Sequence, residues 1–140
     1  RPPEDYWAMV AHLGLQTRVR HVPRPETAEL VALYQQATVF ALSSDEEGLG
    51  VVILEAMACG LPVITTDTAG CRETVEENYN GFLVPPKNTE KLIEAMEKFI
   101  NLSQGARFKM GQRSLQKVNS EFKDTTIAND ILSIVAHAFV

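Results

Sequence analysis

Four short β-rich runs alternate with helical patterns along the chain, and no other sequence feature restricts the fold as much. The runs are "RVRHV" (18–22), "TVFALS" (38–43), "PVITTD" (62–67) and "GFLVPP" (81–86), each bounded by Pro, Gly, Ser or Asp. Between and around them, positions 3–13, 26–37, 49–59 and 72–78 read as helices, the second opened by Pro25 and Glu26 in a favourable first-turn arrangement. Strands that alternate with helices build a parallel sheet covered on both faces. "VFAL" and "PVIT" fit this, because they lack the strict polar alternation of a half-wet sheet. From Asn88 onward only helical patterns remain. "NTEKLIEAMEKFINL" sets Leu92, Ile93, Met96, Phe99 and Ile100 at i, i+3 and i+4 spacings behind an Asn N-cap, and two more helices are predicted over 106–120 and 124–138. The last ends on unusually apolar residues, which either pack on the sheet or dock on another domain. The expected class is α/β, a Rossmann-like parallel sheet with helices on both faces and a helical C-terminal tail.

Composition narrows the function. At 140 residues and 45% hydrophobic content the chain suits one domain with a sizeable core. A net charge of -5 with scattered Lys and Arg argues against a nucleic-acid surface. Cys59 and Cys71 lack metal-ligand spacing and read as free thiols of a reducing compartment, so the expected location is cytoplasmic. No stretch approaches a membrane span, and "RPPEDYW" has neither a basic leader region nor an initiator Met, as expected of a piece of a longer protein. His12, His21 and His137 have no triad or metal partners nearby in sequence, and Ser43 and Ser44 lack the surroundings of a hydrolase nucleophile elbow.

The chemistry is expected at the carboxyl ends of the strands, where open parallel sheets bind ligands. Two loops lie there, "SSDEEGLG" and "TTDTAGCRE". Gly48 and Gly50 open an apolar helix, and their N–H groups could approach an anion at the positive end of its dipole, although Asp45, Glu46 and Glu47 would repel one. The acids equally suit a solvated loop that complements the dipole. Glu55 sits among Val51, Val52, Ile53, Leu54, Ala56, Met57 and Ala58, where an ionised carboxylate is costly without a partner. Two readings stand side by side. Glu55 and Glu47 bracket a hydroxyl-rich, phosphate-bearing ligand, or Glu55 forms a structural ion pair with Arg72 or with an Arg elsewhere. Arg72 itself, next to Glu73, reads as half of a surface ion pair.

"EGLGVVILEAMACGLPVITTDTAG", with "GFLVPP" downstream, resembles the C-terminal domain of retaining glycosyltransferases of family 4, the group 1 transferases with the two-domain GT-B fold. The resemblance runs from "RVRHV" to the C-terminal helices and rests on E-x7-E, "EAMACGLPV" and "GFLV". It implies that residues 1–140 are part of a nucleotide-sugar-binding domain. By the same resemblance Glu55 binds the ribose of the donor, and Glu47 contacts the transferred sugar and counts as catalytic. Gly48, Leu49 and Gly50 meet sugar and diphosphate through backbone amides, and Ser43 joins the donor site. No metal and no other cofactor is implied.

Leu49 stands where the family often has Phe, and Leu42 where it often has Pro. An N-terminal acceptor domain and a "GR...KG" segment that neutralises the diphosphate are implied but are not in this sequence, so the chain alone is expected to be inactive. The complete domain would order its strands 3-2-1-4-5-6, with the four runs here as the third to sixth. "RVRHV" should therefore pair out of place, detach, or pair with another chain. Implied partners are the donor, the acceptor domain and an acceptor glycan, lipid or small molecule. Peripheral membrane association and self-association through the open sheet edge are further expectations. Rival classes are a non-catalytic sugar-nucleotide module, a GT-B epimerase or phosphorylase, and a receiver-type phospho-accepting domain using Asp45, Glu46 and Asp67.

Overall fold

The computed structural model describes residues 4–45, 50–122 and 136. The elements run α1 (Glu4–His12), α2 (Thr27–Gln36), β1 (Phe40–Leu42), α3 (Val51–Ala58), β2 (Val63–Thr66), α4 (Ala69–Thr74), β3 (Gly81–Val84), α5 (Thr89–Ile100) and α6 (Gln104–Glu121). The three strands form one parallel sheet in the order β1-β2-β3, with Phe40 opposite Val63, and Val63 opposite Gly81.

Successive side chains of a strand point to opposite faces, and here both faces are dry. Val63 and Leu83 join Ile53, Leu54, Met57, Cys71, Val75 and Val118 on the side covered by α3, α4 and α6. Ile64, Phe82 and Val84 meet Ala95, Phe99 and Met110 on the other side. This explains why "PVIT" and "GFLV" read as near-continuous apolar runs.

The end of α3 is written in "ACGLP". Gly60 takes φ 78° and its N–H donates to Met57 O (2.9 Å), while Leu61 N–H donates to Ala56 O (3.1 Å). These two bonds make a Schellman cap, which places Leu61 back on Ala56 and Tyr34 in a small core of its own. Pro62 then leads into β2. At Gly111 of α6, a Cβ would lie 2.1 Å from Gly60 O, so only glycine lets α6 pack this closely on that cap.

Asn80, fully buried, holds the loop between α4 and β3. Its Oδ1 accepts from Glu76 N (2.7 Å) and its Nδ2 donates to Thr74 O (3.1 Å). That turn explains one correction, since the helix expected over 72–78 forms at Ala69–Thr74 and Val75 is already extended.

A second correction concerns "RVRHV", which forms no strand. Arg18 N and Val19 N both donate to Leu15 O in a turn, and residues 19–23 have no strand beside them among the described residues. β-propensity without a neighbouring ladder is not enough. This is the detached outcome of the expectation.

A third correction concerns α5. Asn88 caps it as expected, its Oδ1 accepting from Lys91 N (3.0 Å). Only Ala95 and Phe99, with Leu92 partly, face the sheet, whereas Ile93, Met96 and Ile100 are 50%, 37% and 66% exposed. The apolar arc is wider than the surface it covers. The helix expected over 124–138 lies outside the described residues except for Ala136.

Candidate functional site at the carboxyl ends of the strands

Side-chain hydroxyls tie the strand ends together before any loop begins. Thr65 Oγ1 donates to Leu42 O (2.9 Å), and Thr66 Oγ1 donates to Ser44 O, so β2 fixes the chain as it leaves β1. Ser43, an expected donor-site residue, is exposed there. It lines a cleft of about 240 Å³ with Asp45, Thr66, Lys87 and Asn88, across which Lys87 Nζ reaches Asp45 Oδ2 at 3.7 Å. Neither Glu55 nor Gly50 lines this cleft.

Gly50 is buried and forms the N-cap of α3, where no side chain caps the helix. Glu47, Gly48 and Leu49, together with Glu46, lie outside the described residues.

Glu55 is not where its sequence neighbours suggest. A helix turns about 100° per residue, so Ile53, Leu54, Met57 and Ala58 form the sheet-facing arc, and Glu55 falls on the opposite stripe between Val51 and Val52. These two valines are 39% and 40% exposed, whereas Ile53, Leu54, Ala56, Met57 and Ala58 are fully buried. Glu55 is half-buried. The expectation of a carboxylate enclosed by apolar residues is thus corrected, because the residues adjacent in sequence point elsewhere.

The ion pair with Arg72 is corrected as well. Arg72 Nε donates to Asp67 Oδ1 (2.7 Å), an exposed pair that raises the arginine pKa through that hydrogen bond and the Asp67 charge. It is a surface ion pair, as read, but its partner is Asp67 and not Glu73. Tyr34 meets Glu55 from α2, its hydroxyl donating to Glu55 Oε2 at 3.2 Å. Burial, then the Glu55 charge and this hydrogen bond, push the Tyr34 pKa far above its ordinary value, so the phenol stays protonated. The Cys59 thiol is pushed up by burial and by Glu55, which keeps it neutral. Sequence reasoning missed Tyr34. Its signal was a phenol inside an apolar helical pattern, since buried tyrosines find a partner for the hydroxyl.

The strand-end loop of β2 carries one more polar group. Thr68 Oγ1 is buried and has no hydrogen-bond partner among the described residues. Asp45 pairs with Lys87 and Asp67 with Arg72, on separate loops. Among the described residues no three His, Cys, Asp or Glu side chains come together in a way that could hold a metal. His12 and His21 are exposed, His21 lying edge-on to Trp7 at 6.0 Å; His137 lies outside the described residues. No helix among the described residues is long and apolar enough to cross a membrane.

Comparison with known proteins agrees with this geometry. The family model "Glycosyl transferases group 1" matches residues 4–117. A D-inositol 3-phosphate glycosyltransferase of Corynebacterium aurimucosum is 31% identical over 137 residues, covering 97% of this chain and 32% of that protein. The fold superposes on sucrose-phosphate synthase from Thermosynechococcus elongatus with a TM-score of 0.80 at 28% identity, over 96% of this chain and 33% of that one. Anabaena HepE in complex with UDP-glucose gives a TM-score of 0.79 at 25% identity, over 95% and 36% of the two chains. The chain spans about a third of the length of these relatives. A parallel sheet between helices, a family model matching most of the chain and these structural neighbours lead to one conclusion: this chain belongs to the group 1 glycosyltransferases.

Proposed function

We propose that this chain is the part of a two-domain, cytoplasmic glycosyltransferase that holds the nucleotide-sugar donor, and that the intact protein transfers the sugar with retention of configuration. Glu55 accepts hydrogen bonds from the ribose hydroxyls. Glu47 serves the transferred sugar, the amides of Gly48, Leu49 and Gly50 serve the sugar and diphosphate, and Ser43 joins the donor site. Diphosphate neutralisation and acceptor binding fall to other parts of the intact protein, and no metal is assigned a role. What supports this reading is Glu55 itself, a half-buried carboxylate on the stripe of α3 that it shares with the exposed Val51 and Val52, in the helix that follows the carboxyl end of β1. A carboxylate there can accept from a vicinal diol. The neutral phenol beside it leaves its charge intact. Complexes of the similar HepE with UDP and with UDP-glucose support a diphosphate nucleotide as the ligand class.

The test is a calorimetric titration of the intact protein with UDP, GDP and ADP. A hydrogen bond to a charged group contributes about 1.5–3 kcal/mol, so Glu55→Gln should weaken the best-bound nucleotide on the order of 10- to 150-fold. Glu47→Gln should leave that affinity nearly unchanged and lower turnover of the sugar-bearing donor. Equal nucleotide affinity in wild type and Glu55→Gln would remove the basis for the reading.

A further inference from the structure

Strand β2 ends on two threonines where valines would fit. Thr65 and Thr66 are buried, and a hydroxyl taken out of water is costly unless a partner meets it, whereas valine has the same branched shape and no such cost. Both hydroxyls find partners on the chain that leaves β1. The ladder between β1 and β2 pairs its last residues at Leu42 and Thr65, and the side chains of Thr65 and Thr66 leave β2 on opposite faces. Thr65 Oγ1 donates to Leu42 O (2.9 Å) and Thr66 Oγ1 donates to Ser44 O, so the carbonyl on each side of Ser43 is held. Ser43 itself is exposed and lines the cleft at the strand ends.

From this clasp we infer that Thr66 is a positioning residue, whose hydroxyl holds the chain so that Ser43 presents its Oγ to the nucleotide-sugar donor. The inference rests on the proposed place of Ser43 in the donor site. A serine has one torsion between its backbone and Oγ, with three staggered wells, so a backbone held on both sides confines the oxygen to a few places. A group already in place binds without the entropy cost of ordering it at that moment. Strand β1 ends at Leu42, and the Thr66 hydroxyl continues beyond it the tie that the ladder makes before it. Thr65 has a second tie, its hydroxyl lying 3.3 Å from Cys71 Sγ of α4, so Thr66 is the cleaner of the two to test. If the Thr66 hydroxyl served the sheet alone, its removal would leave donor recognition as it was.

Thr66→Val keeps the branched shape and removes the hydroxyl, whereas Thr66→Ser keeps the hydroxyl. In the intact protein, calorimetry measures the affinity of whichever of UDP-glucose, GDP-glucose and ADP-glucose binds best. Ser43→Ala removes one neutral hydrogen bond to that donor and should weaken it about 3- to 10-fold. Thr66→Val should weaken it by a similar factor at a melting temperature near wild type, and Thr66→Ser should restore the affinity. Because Thr66 also borders the cleft, the double variant separates an action through Ser43 from a direct contact with the ligand. Ser43→Ala combined with Thr66→Val should bind no more weakly than Ser43→Ala alone, as expected of two groups acting through one contact. Losses that add in the double variant, wild-type affinity in Thr66→Val, or a loss that Thr66→Ser fails to restore overturn the inference while Ser43 keeps its role. Wild-type affinity in Ser43→Ala overturns the place of Ser43 in the donor site, and the inference with it.

Discussion

Helices α1 and α3 have nearly the same length, nine and eight residues, but α1 buries only Val10 whereas α3 buries Ile53, Leu54, Ala56, Met57 and Ala58. Apolar content alone does not account for this, since α1 carries Tyr6 and Met9 at 40% and 60% exposure. The difference lies in what surrounds each helix. α3 is held by the sheet below, by α6 through the close approach at Gly111, and by Tyr34 of α2 on its flank. A helix so held is a rigid element, and Glu55 is half-buried on the stripe it shares with the exposed Val51 and Val52.

The contrast is sharpest in the core. Leu54→Ala in the intact protein should lower unfolding stability by about 2–5 kcal/mol, read from the urea midpoint, because it opens a cavity under a helix that cannot collapse. A loss below about 1 kcal/mol would mean that α3 is less tightly held than its burial indicates. Next in size, Asn80→Ala should cost about 1–3 kcal/mol by leaving Glu76 N–H without its acceptor and Thr74 O without its donor.

A smaller effect depends on pH. The Tyr34 phenol titrates well above its ordinary value of about 10 in the folded protein. Its contribution to stability is therefore complete below pH 10. It declines as pH rises beyond 10 towards the folded pKa, because only the unfolded chain then releases the proton. Wild type should lose stability with pH above 10 more steeply than Tyr34→Phe, and parallel curves for the two would contradict the buried hydrogen bond to Glu55. Smallest of all, Met9→Ala in α1 should shift the urea midpoint by less than about 0.5 kcal/mol. A loss comparable to that at Leu54 would break the contrast between the two helices.

Much of the α3 surroundings was legible in the sequence. β2 and β3 were continuous apolar runs bounded by Pro and Gly, and "ACGLP" contained both the stop of α3 and the start of β2. The misreadings share one cause, which is that a linear neighbourhood differs from a spatial one. Glu55 looked enclosed because its flanking residues are apolar, yet helical rotation turns those residues inward and Glu55 outward. Arg72 had an acid beside it in Glu73, but Asp67, five residues earlier and across the start of α4, lies closer in space. Tyr34 could be matched to Glu55 only once α2 and α3 were placed side by side. "RVRHV" had strand composition without a strand to pair with. Of the expected donor-site residues, Ser43, Gly50 and Glu55 are described.

The direct measurement is a crystal structure of the intact protein with the nucleoside diphosphate that binds best. Both ribose hydroxyls should lie within about 2.7–3.2 Å of the Glu55 carboxylate, with the Tyr34 hydroxyl still donating to Oε2. A nucleotide bound with its ribose away from Glu55, or a Glu55 side chain turned from the ligand towards a basic partner, would contradict the donor-binding role assigned to α3.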